Sequence, residues 1–331
     1  MMGSKKMKYR EILVSIILSV TFYLNSSPVF AQAFPSKPIK IVLPFAPGGA
    51  MDAVARPISD SFFKITGQPL VIENLGGAGG TIGANQVSRS APDGYSILMG
   101  SNGQISIAPF VNPALPYDPS VSLVPIIHIA NSPAILYASA KSPYKTLQDV
   151  IDDAKRRPGI INFAHPGNGS LGHLTLKLFS QQAGVRFTHV PYKGAGQALV
   201  DVASGEIPLI FTHVSTAQPF VSNQMVRPLA VASEKRFFVL NDVPTFSELG
   251  FPNLNISLWL GLMAPKGTSS NAIDVIAKTI DTSLKTNEMK SRLALQGFEI
   301  TGGSPDAFKN FIAEDTERWR KLSKTVDLNE N

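Results

Sequence analysis

The fold is decided by Pro44-Phe45-Ala46-Pro47-Gly48-Gly49-Ala50-Met51-Asp52, which joins an apolar run at 39–43 to a segment with helical spacing. The run predicts a buried strand, and the segment predicts a helix that ends at Gly67. Two glycines in such a turn let the backbone approach a ligand, and the amides of a helix N-terminus can hold an anion without a basic side chain. A tight connection with no ligand is the other interpretation, so the rest of the chain must decide.

The same order of strand, glycine-rich loop and helix recurs along the chain. Strands predicted at 70–73 and 95–99 are each followed by glycine-containing loops, and a second series begins with a strand at 160–164 and the loop at 165–173. Strands and helices that alternate at this spacing predict an α/β fold with mostly parallel sheets. Ligands of such sheets bind beyond the carboxyl ends of the strands.

Two β-rich stretches predict that the chain crosses between two lobes. The first, at 124–138, is expected to break at Asn131-Ser132-Pro133, because proline is poorly tolerated inside a central strand. The second lies at 254–263, after a short helix predicted at 244–249. We therefore predict lobe 1 at 34–130 and 258–331 and lobe 2 at 131–257. Lobes joined by two hinge strands can close on a ligand.

The first 33 residues are typical of a secretory signal peptide. A basic start precedes an apolar run at 12–24, and the segment ends in Ala31-Gln32-Ala33, a small-residue cleavage pattern. We expect cleavage after Ala33 and a periplasmic protein, with a retained N-terminal anchor as the alternative.

Charge and cysteine content exclude several classes of function. The chain has 30 basic and 24 acidic residues, and the signal segment holds four of the basic ones and one acidic one, so 26 and 23 remain. This mild, dispersed positive charge is not the footprint of a nucleic-acid-binding protein. The absence of cysteine rules out disulfides, thiol nucleophiles and thiolate metal sites.

Motifs for cofactor or metal chemistry are incomplete. The glycines at 76–83 do not have dinucleotide-loop spacing, and no Gly-Lys-Ser/Thr follows, so we expect no cofactor. The five histidines show no His-Glu-x-x-His pattern, so we expect no metal site and no catalytic residue. An exported hydrolase using Ser170 and His173 is the alternative, although the Gly-x-Ser-x-Gly spacing of such enzymes is lacking.

Seven motifs stand in order along the chain after residue 33. They are Pro44-Phe45-x-x-Gly48-Gly49-x-x-Asp52, Glu73-Asn74-x-x-Gly77-Ala78-Gly79-Gly80-x-x-Gly83, Ala91-Pro92-Asp93-Gly94-Tyr95, Leu115-Pro116-Tyr117-Asp118-Pro119, Gly167-Asn168-Gly169-Ser170-x-Gly172-His173-Leu174, His189-Val190-Pro191-Tyr192-Lys193-Gly194 and Asp242-Val243-Pro244-Thr245. This set resembles the Bug-type periplasmic solute receptors, the substrate-binding components of tripartite tricarboxylate transporters.

The resemblance implies a two-lobed periplasmic binding protein of type II, a Venus flytrap that binds small carboxylates through backbone amides and small polar side chains. It implies no enzymatic activity and a partnership with membrane permease subunits, and we expect a monomer. The ligand contacts that it implies come from both lobes: Phe45, Gly49, Ala50, Met51, Asp52, Ser101 and Asn102 from lobe 1, and Ser170, Gly172, His173 and Tyr192 from lobe 2.

Two positions depart from the pattern of these receptors. Met51 stands where serine or threonine is common, and Thr212-His213 stands where Asp-Asn is frequent. Loss of a carboxylate removes a partner for a ligand ammonium, so we predict a ligand without a free amine, such as a carboxylate with an apolar or aromatic body. Whether the receptor serves transport or sensing stays open.

Overall fold

The computed structural model describes residues 34–324, so the predicted signal segment lies outside the described residues. Among residues 34–324, none of the helices has the length and apolar character that a bilayer crossing requires. The strands of this region are β1 (Ile39–Leu43), β2 (Leu70–Asn74), β3 (Ser96–Ser101), β4 (Leu123–Pro133), β5 (Ile135–Ser139), β6 (Asn162–His165), β7 (Thr188–Pro191), β8 (Leu209–Thr212), β9 (Val226–Val231), β10 (Ser257–Pro265) and β11 (Glu299–Ile300).

The helices fill the connections between these strands. They are α1 (Ala50–Thr66), α2 (Thr81–Ser88), α3 (Ala108–Val111), α4 (Pro119–Ser122), α5 (Leu147–Arg156), α6 (Leu171–Ala183), α7 (Ala195–Ser204), α8 (Val214–Ser222), α9 (Ser270–Leu284), α10 (Asn287–Leu295) and α11 (Pro305–Leu322). A 3₁₀ turn at Ala78–Gly80 precedes α2, and a π-helical turn at Gly103–Ile107 precedes α3.

The strands form two sheets, one in each lobe. The lobe 1 sheet has the order β11-β4-β10-β3-β1-β2, and the lobe 2 sheet has the order β7-β6-β8-β5-β9. In each sheet the strand next to one edge lies parallel to both of its neighbours: β1 to β2 and β3, and β6 to β7 and β8. The turn after β1 and the loop after β6 therefore emerge at the carboxyl ends of parallel strands, where such sheets bind ligands.

The chain passes from the first sheet to the second with a single residue between strands. The predicted break at Asn131-Ser132-Pro133 is wrong: β4 continues through Pro133 because these residues pair with Trp259, Leu258 and Ser257 of β10. Ala134 alone separates β4 from β5, and its N–H donates to the Ile256 carbonyl at 2.9 Å. Pro133 is tolerated because it ends the strand.

Two further local predictions differ from the structure. The stretch at 244–249 forms turns instead of a helix, because Thr245 makes an isolated parallel bridge with Val231. Helix α8 was not predicted, because it contains Pro219 and an interior proline argues against a helix. The lobe boundaries given above remain a prediction.

Each lobe has its own hydrophobic core. In lobe 1 the indole of Trp259 packs edge-on against Phe308 with ring centroids 5.4 Å apart, and its Nε1–H donates to Asp315 at 2.7 Å. In lobe 2 the aromatic core is built around Phe163, Phe179 and Phe211. These cores hold the carboxyl ends of the strands, and so the loops that face the other lobe, in fixed positions.

Candidate functional site

A cavity of about 70 Å³ lies where the loops of the two sheets meet. Nine of the predicted site residues line it: Phe45, Gly49, Ala50, Met51, Asp52, Ser101, Ser170, Gly172 and His213. Six residues that were not predicted complete its wall: Ala46, Pro166, Leu171, Ala195, Thr216 and Leu258. Among the described residues that line the cavity, none is lysine or arginine.

The lobe 1 wall is the turn between β1 and α1. Gly48 has a φ of +87°, a backbone angle that favours glycine, and it turns the chain into the helix. Gly49 is the N-cap of α1, and in the described structure no side chain at this position accepts a hydrogen bond from the first turn. The amides of the first turn are therefore left to water or a ligand. Met51 is buried in this wall and adds apolar surface beside the amides.

Asp52 is held by partners on its own side of the cavity. Its carboxylate accepts from Arg56 at 3.0 Å and from the side-chain amide of Asn74 at 3.2 Å. The same Asn74 amide donates to the Phe45 carbonyl at 3.1 Å, which fixes the turn on the end of β2. Asp52 thus braces the turn, and both of its oxygens already accept hydrogen bonds.

Ser101 and Asn102, at the end of β3, have different surroundings. Ser101 faces the cavity, and its hydroxyl donates to Gln104 at 2.8 Å. Asn102 is not among the described lining residues: its Nδ2 donates to the Ser257 carbonyl and its Oδ1 accepts from the Trp259 N–H, both at 3.1 Å. Asn102 therefore ties β10 to the end of β3.

The lobe 2 wall is the loop that leads into α6. Ser170 is the N-cap of this helix, and its hydroxyl accepts from the His173 N–H at 3.4 Å. Gly172 is packed so closely that a Cβ would lie 2.9 Å from Pro166 and 3.2 Å from the Phe211 carbonyl. His173 is outside the described cavity lining, and its ring Nδ1 accepts from the Gly169 N–H at 3.1 Å.

Two more helices of lobe 2 begin at the cavity. Gly194 is the N-cap of α7 and His213 that of α8, and neither caps its helix with a side chain within the described residues. Ala195 and Thr216, in the first turns of these helices, line the cavity. The N-termini of α1, α6, α7 and α8 therefore converge on one small space. Their summed partial positive charge favours an anion there.

Two buried hydroxyls lie in or beside the cavity wall without a partner. The Oγ1 atoms of Thr216 and Thr212 find no hydrogen-bond acceptor or donor among residues 34–324. Thr212 ends β8 and directly precedes His213 of the wall. Buried hydroxyls are usually satisfied, so the Thr216 hydroxyl in the wall indicates a polar ligand or water.

His213 is a neutral hydrogen-bond acceptor at neutral pH. Its Nδ1 lies 3.0 Å from the Pro133 carbonyl, so Nδ1 carries the hydrogen that donates to this oxygen. Burial lowers the pKa of His213 to about 4. The remaining nitrogen, Nε2, is therefore unprotonated and can accept a hydrogen bond.

Tyr192 is not among the described residues that line the cavity, and its hydroxyl bonds within lobe 2. Its hydroxyl donates to Asp201, and burial, with this hydrogen bond second, raises its pKa above the usual value. Behind the same loop, His173 meets His165 and His189, with one donor atom of each within 4.8 Å of the others. The spacing of these residues in the sequence gave no sign of such a group.

The two lobes touch through backbone atoms. The Ala46 N–H donates to the Lys193 carbonyl at 3.2 Å. A Cβ on Gly79 would lie 2.3 Å from the Asn168 carbonyl, and one on Gly196 would lie 3.1 Å from the Gly48 carbonyl. Glycines thus allow the loops to meet at backbone distance around the cavity.

Comparison with known proteins places the chain in a family. Residues 54–328 match the model of the tripartite tricarboxylate transporter family receptor. The chain is 34% identical over 326 residues to the UPF0065 protein in the tcbD-tcbE intergenic region of Pseudomonas sp. (strain P51), covering 97% of this chain and 96% of that protein. It is 33% identical over 295 residues to protein BugT of Bordetella pertussis, covering 89% and 90%.

Solved structures show the same architecture. The periplasmic binding protein BugD superposes with a TM-score of 0.86 at 31% identity, covering 90% of this chain and all of that one. MatC from Rhodopseudomonas palustris, solved with bound malate, gives 0.84 at 30% identity, covering 88% and 100%. Rpa4515 from R. palustris, solved with adipate, gives 0.85 at 32%, covering 88% and 99%. The resemblance drawn from the motifs is confirmed: the chain belongs to the tripartite tricarboxylate transporter receptor family and has the two-lobed α/β fold of its periplasmic solute-binding proteins.

Proposed function

We propose that this receptor binds a small carboxylate in the cavity between its lobes and delivers it to the membrane permease subunits of a tripartite tricarboxylate-type transporter. The observation that carries the proposal is the convergence of four helix N-termini on a wall without lysine or arginine among its described residues. The malate and adipate in the structures of MatC and Rpa4515 support this ligand class. We further propose that export precedes this role, with cleavage after Ala33, and that the mature protein is a monomer.

The volume of the cavity limits the size of the ligand. About 70 Å³ is room for several water molecules, since one occupies roughly 10–15 Å³ in such a measure. It is less than the roughly 150 Å³ cavity that is known to take benzene. A short aliphatic acid therefore fits the closed lobes better than the aromatic acid that Met51 alone would allow.

The polar groups of the wall favour an acid without an amine. The carboxylate of Asp52 already accepts from Arg56 and Asn74. Thr212 stands where an acidic residue is frequent in these receptors, so a partner for an ammonium is lacking there, and the Nε2 of His213 can accept from a hydroxyl group on the ligand. A hydroxylated short-chain acid would use both the amides and this acceptor.

Binding without chemical conversion is the activity that this geometry supports. The Ser170 hydroxyl accepts from the His173 backbone, while the His173 ring accepts from the Gly169 N–H. Within the described residues the imidazole is thus engaged away from the serine, and a hydrolase would need the two joined. A sensory role would use the same ligand cavity and differ only in the partner.

A ligand screen tests the proposal. Calorimetry and thermal unfolding with malate, succinate, adipate, benzoate and aspartate should show tight binding of an aliphatic acid and none of aspartate. A ligand at a hundred times its dissociation constant adds about 2.7 kcal/mol to the free energy of unfolding. Thr216→Val, which removes the unpartnered hydroxyl at constant shape, should weaken the preferred acid. Binding of aspartate but of none of the simple acids would refute the proposal.

A further inference from the structure

Three of the five histidines of the chain form a cluster in lobe 2, in which His165 and His173 are buried and His189 is half-buried. His165 ends β6, His173 lies in the first turn of α6 and His189 lies in β7. The His165 and His173 rings are stacked with centroids 4.6 Å apart, and the His189 ring stands edge-on to both, at 5.8 and 5.3 Å. One donor nitrogen from each residue lies within 4.8 Å of the other two.

Two of the three histidines have ring nitrogens without a hydrogen-bond partner among the described residues. His165 is fully buried, and neither of its ring nitrogens makes a hydrogen bond with any residue of 34–324, although the Gly167 backbone lies nearby. The Nδ1 atom of His189 is buried without a hydrogen-bond partner in the same region. Buried polar atoms in native proteins are nearly always satisfied. The two unpartnered nitrogens of His165 and the one of His189, in a group whose donor atoms lie within 4.8 Å of one another, therefore call for a ligand.

We propose that His165, His173 and His189 bind one divalent transition-metal ion, such as Zn²⁺, with an anion or water in the fourth position. Three neutral imidazoles are an established donor set for Zn²⁺. Zn–N bonds of about 2.0–2.1 Å place tetrahedral ligands roughly 3.4 Å apart, so small rotations of the rings close the present spacing. Burial lowers the pKa of all three imidazoles, to about 4 for His165 and about 2 for His173, so they are free of the proton that competes with a metal.

The surrounding charge selects the fourth ligand. Lys177 lies one turn after His173 on α6, and its ammonium contributes, after burial, to the lowered pKa values of the three histidines. The cluster itself contains no carboxylate. The metal and Lys177 together therefore favour chloride or hydroxide as the fourth ligand, which balances their positive charge.

Metal binding at His173 changes a contact of the cavity loop. The Nδ1 of His173 now accepts from the Gly169 N–H. A metal at Nδ1 displaces that amide, and a metal at Nε2 moves the ring proton to Nδ1, which breaks the same hydrogen bond. Gly169 precedes Ser170 and Leu171 of the cavity wall. We therefore expect the metal to alter carboxylate affinity. This consequence rests on the proposed function, whereas the metal site does not.

Cobalt titration of the untagged, metal-free protein tests the site directly. We expect one Co²⁺ per chain with the intense visible absorption of a tetrahedral complex, displaced by Zn²⁺. His165→Asn should weaken binding by at least the roughly tenfold to hundredfold that loss of an outer-shell partner costs in known sites. His128→Gln is the matched control, because His128 is a buried histidine of lobe 1 whose Nε2 is paired with Asn131 at 3.0 Å. This variant should bind the metal like the parent chain.

The outcomes separate the site from weak surface binding. Octahedral Co²⁺ spectra, or equal affinity in the His165→Asn and parent chains, would overturn the proposal. If His165→Asn does not fold, His189→Gln and the histidine ring NMR signals of the parent chain with Zn²⁺ decide instead. Calorimetry of the preferred acid with and without Zn²⁺ then measures the coupling. Metal binding without acid binding would leave the metal site standing and refute the receptor proposal.

Discussion

The turn of lobe 1 at residues 44–52 and the loop of lobe 2 at residues 165–173 both deliver a helix N-terminus to the cavity, but they hold it differently. Gly49 leaves α1 without a side-chain cap, whereas the Ser170 hydroxyl caps α6. The lobe 1 turn is braced by the ion pair of Asp52 with Arg56, and the lobe 2 loop by the imidazole of His173. Lobe 1 thus offers uncapped amides on a fixed frame.

The difference indicates that the two loops contribute differently to ligand binding. An uncapped N-terminus gives up the stability that a capping side chain would add, and in exchange its amides remain available to an anion. A capped N-terminus is more stable, but it directs fewer amides at the ligand. Of these two loops, the turn at residues 44–52 is therefore expected to offer more helix amides to the ligand than the loop at residues 165–173.

The largest expected effect on ligand affinity comes from another contact of the loop at residues 165–173, which it makes with the 3₁₀ turn at Ala78–Gly80 of lobe 1. Gly79 and Gly184 share a φ of +63°, but a Cβ on Gly79 would lie 2.3 Å from the Asn168 carbonyl, whereas no described atom lies within 4 Å of one on Gly184. Overpacking costs about 1–3 kcal/mol, so Gly79→Ala should weaken carboxylate binding by about tenfold to hundredfold. Calorimetry measures this change.

Gly184→Ala is the matched control, because it has the same backbone strain and no steric clash with the other lobe. It should lower the melting temperature somewhat and leave affinity unchanged. Equal affinity losses in the two variants would show that backbone strain, and not lobe contact, controls binding.

Adding a cap to α1 and removing the cap of α6 should have smaller effects. The two changes should shift the free energy of unfolding in opposite directions. Gly49→Ser has open space for its side chain and adds a cap to α1, so it should raise the free energy of unfolding by a few tenths of a kcal/mol. The new cap competes for an amide, so ligand affinity should fall about fivefold, or about 1 kcal/mol. Ser170→Ala should instead destabilise the protein by about 1 kcal/mol.

Chemical denaturation and calorimetry on both cap variants check this contrast. A Gly49→Ser protein that binds the acid as tightly as the parent would mean that the uncapped amides of α1 do not contact the ligand. The comparison between the lobes would then lose its main support.

The smallest expected effect is the change of stability with pH that comes from His213, the neutral histidine at the start of α8. Burial lowers the pKa of His213 from its ordinary 6.5 to about 4, so between these values the unfolded chain binds a proton that the folded chain does not. Its contribution to stability is complete above pH 6.5 and is lost progressively as the pH falls towards 4. From pH 7.5 to 6 this loss amounts to about 0.8 kcal/mol for one such group.

Denaturant melts of the parent and His213→Asn proteins over this pH range isolate the effect, because the variant should lose less stability on acidification. His128 of lobe 1 has a pKa lowered to about 4 by burial and remains in both proteins as an internal reference. Parallel pH profiles of the two proteins would show that His213 is protonated alike in the folded and unfolded chains.

Local signals predicted the elements that have local causes. The sequence pattern Ser304-Pro305 is typical of a helix start, and α11 begins at Pro305. Thr146 with Asp149 three residues later is a capping-box pattern, and α5 begins after Thr146. Helix α1 ends at Gly67, which adopts the left-handed conformation expected of a helix C-cap. In each case a few neighbouring residues fix the backbone.

Local sequence signals gave wrong predictions where partners far away in the sequence set the conformation of a residue. Asn131 and Ser132 remain in a strand because β10 pairs with them, and Thr245 is extended because Val231 binds it. Asn102 lies beside a cavity residue in sequence, yet its amide binds Ser257 and Trp259, more than 150 residues away. Sequence spacing carries no record of such pairings.

The sequence alone determined the alternation of strands, glycine loops and helices, the seven motifs of the receptor family and the turn that leaves amides free. These properties reside in short stretches, whose backbone preferences act locally. Tertiary structure decided which loops meet: it brought four helix N-termini to one cavity, and it brought donor atoms of three histidines, at positions 165, 173 and 189, to within 4.8 Å of one another. Such contacts depend on how the strands pair and the lobes pack, because pairing and packing set distances between residues that the chain order keeps apart.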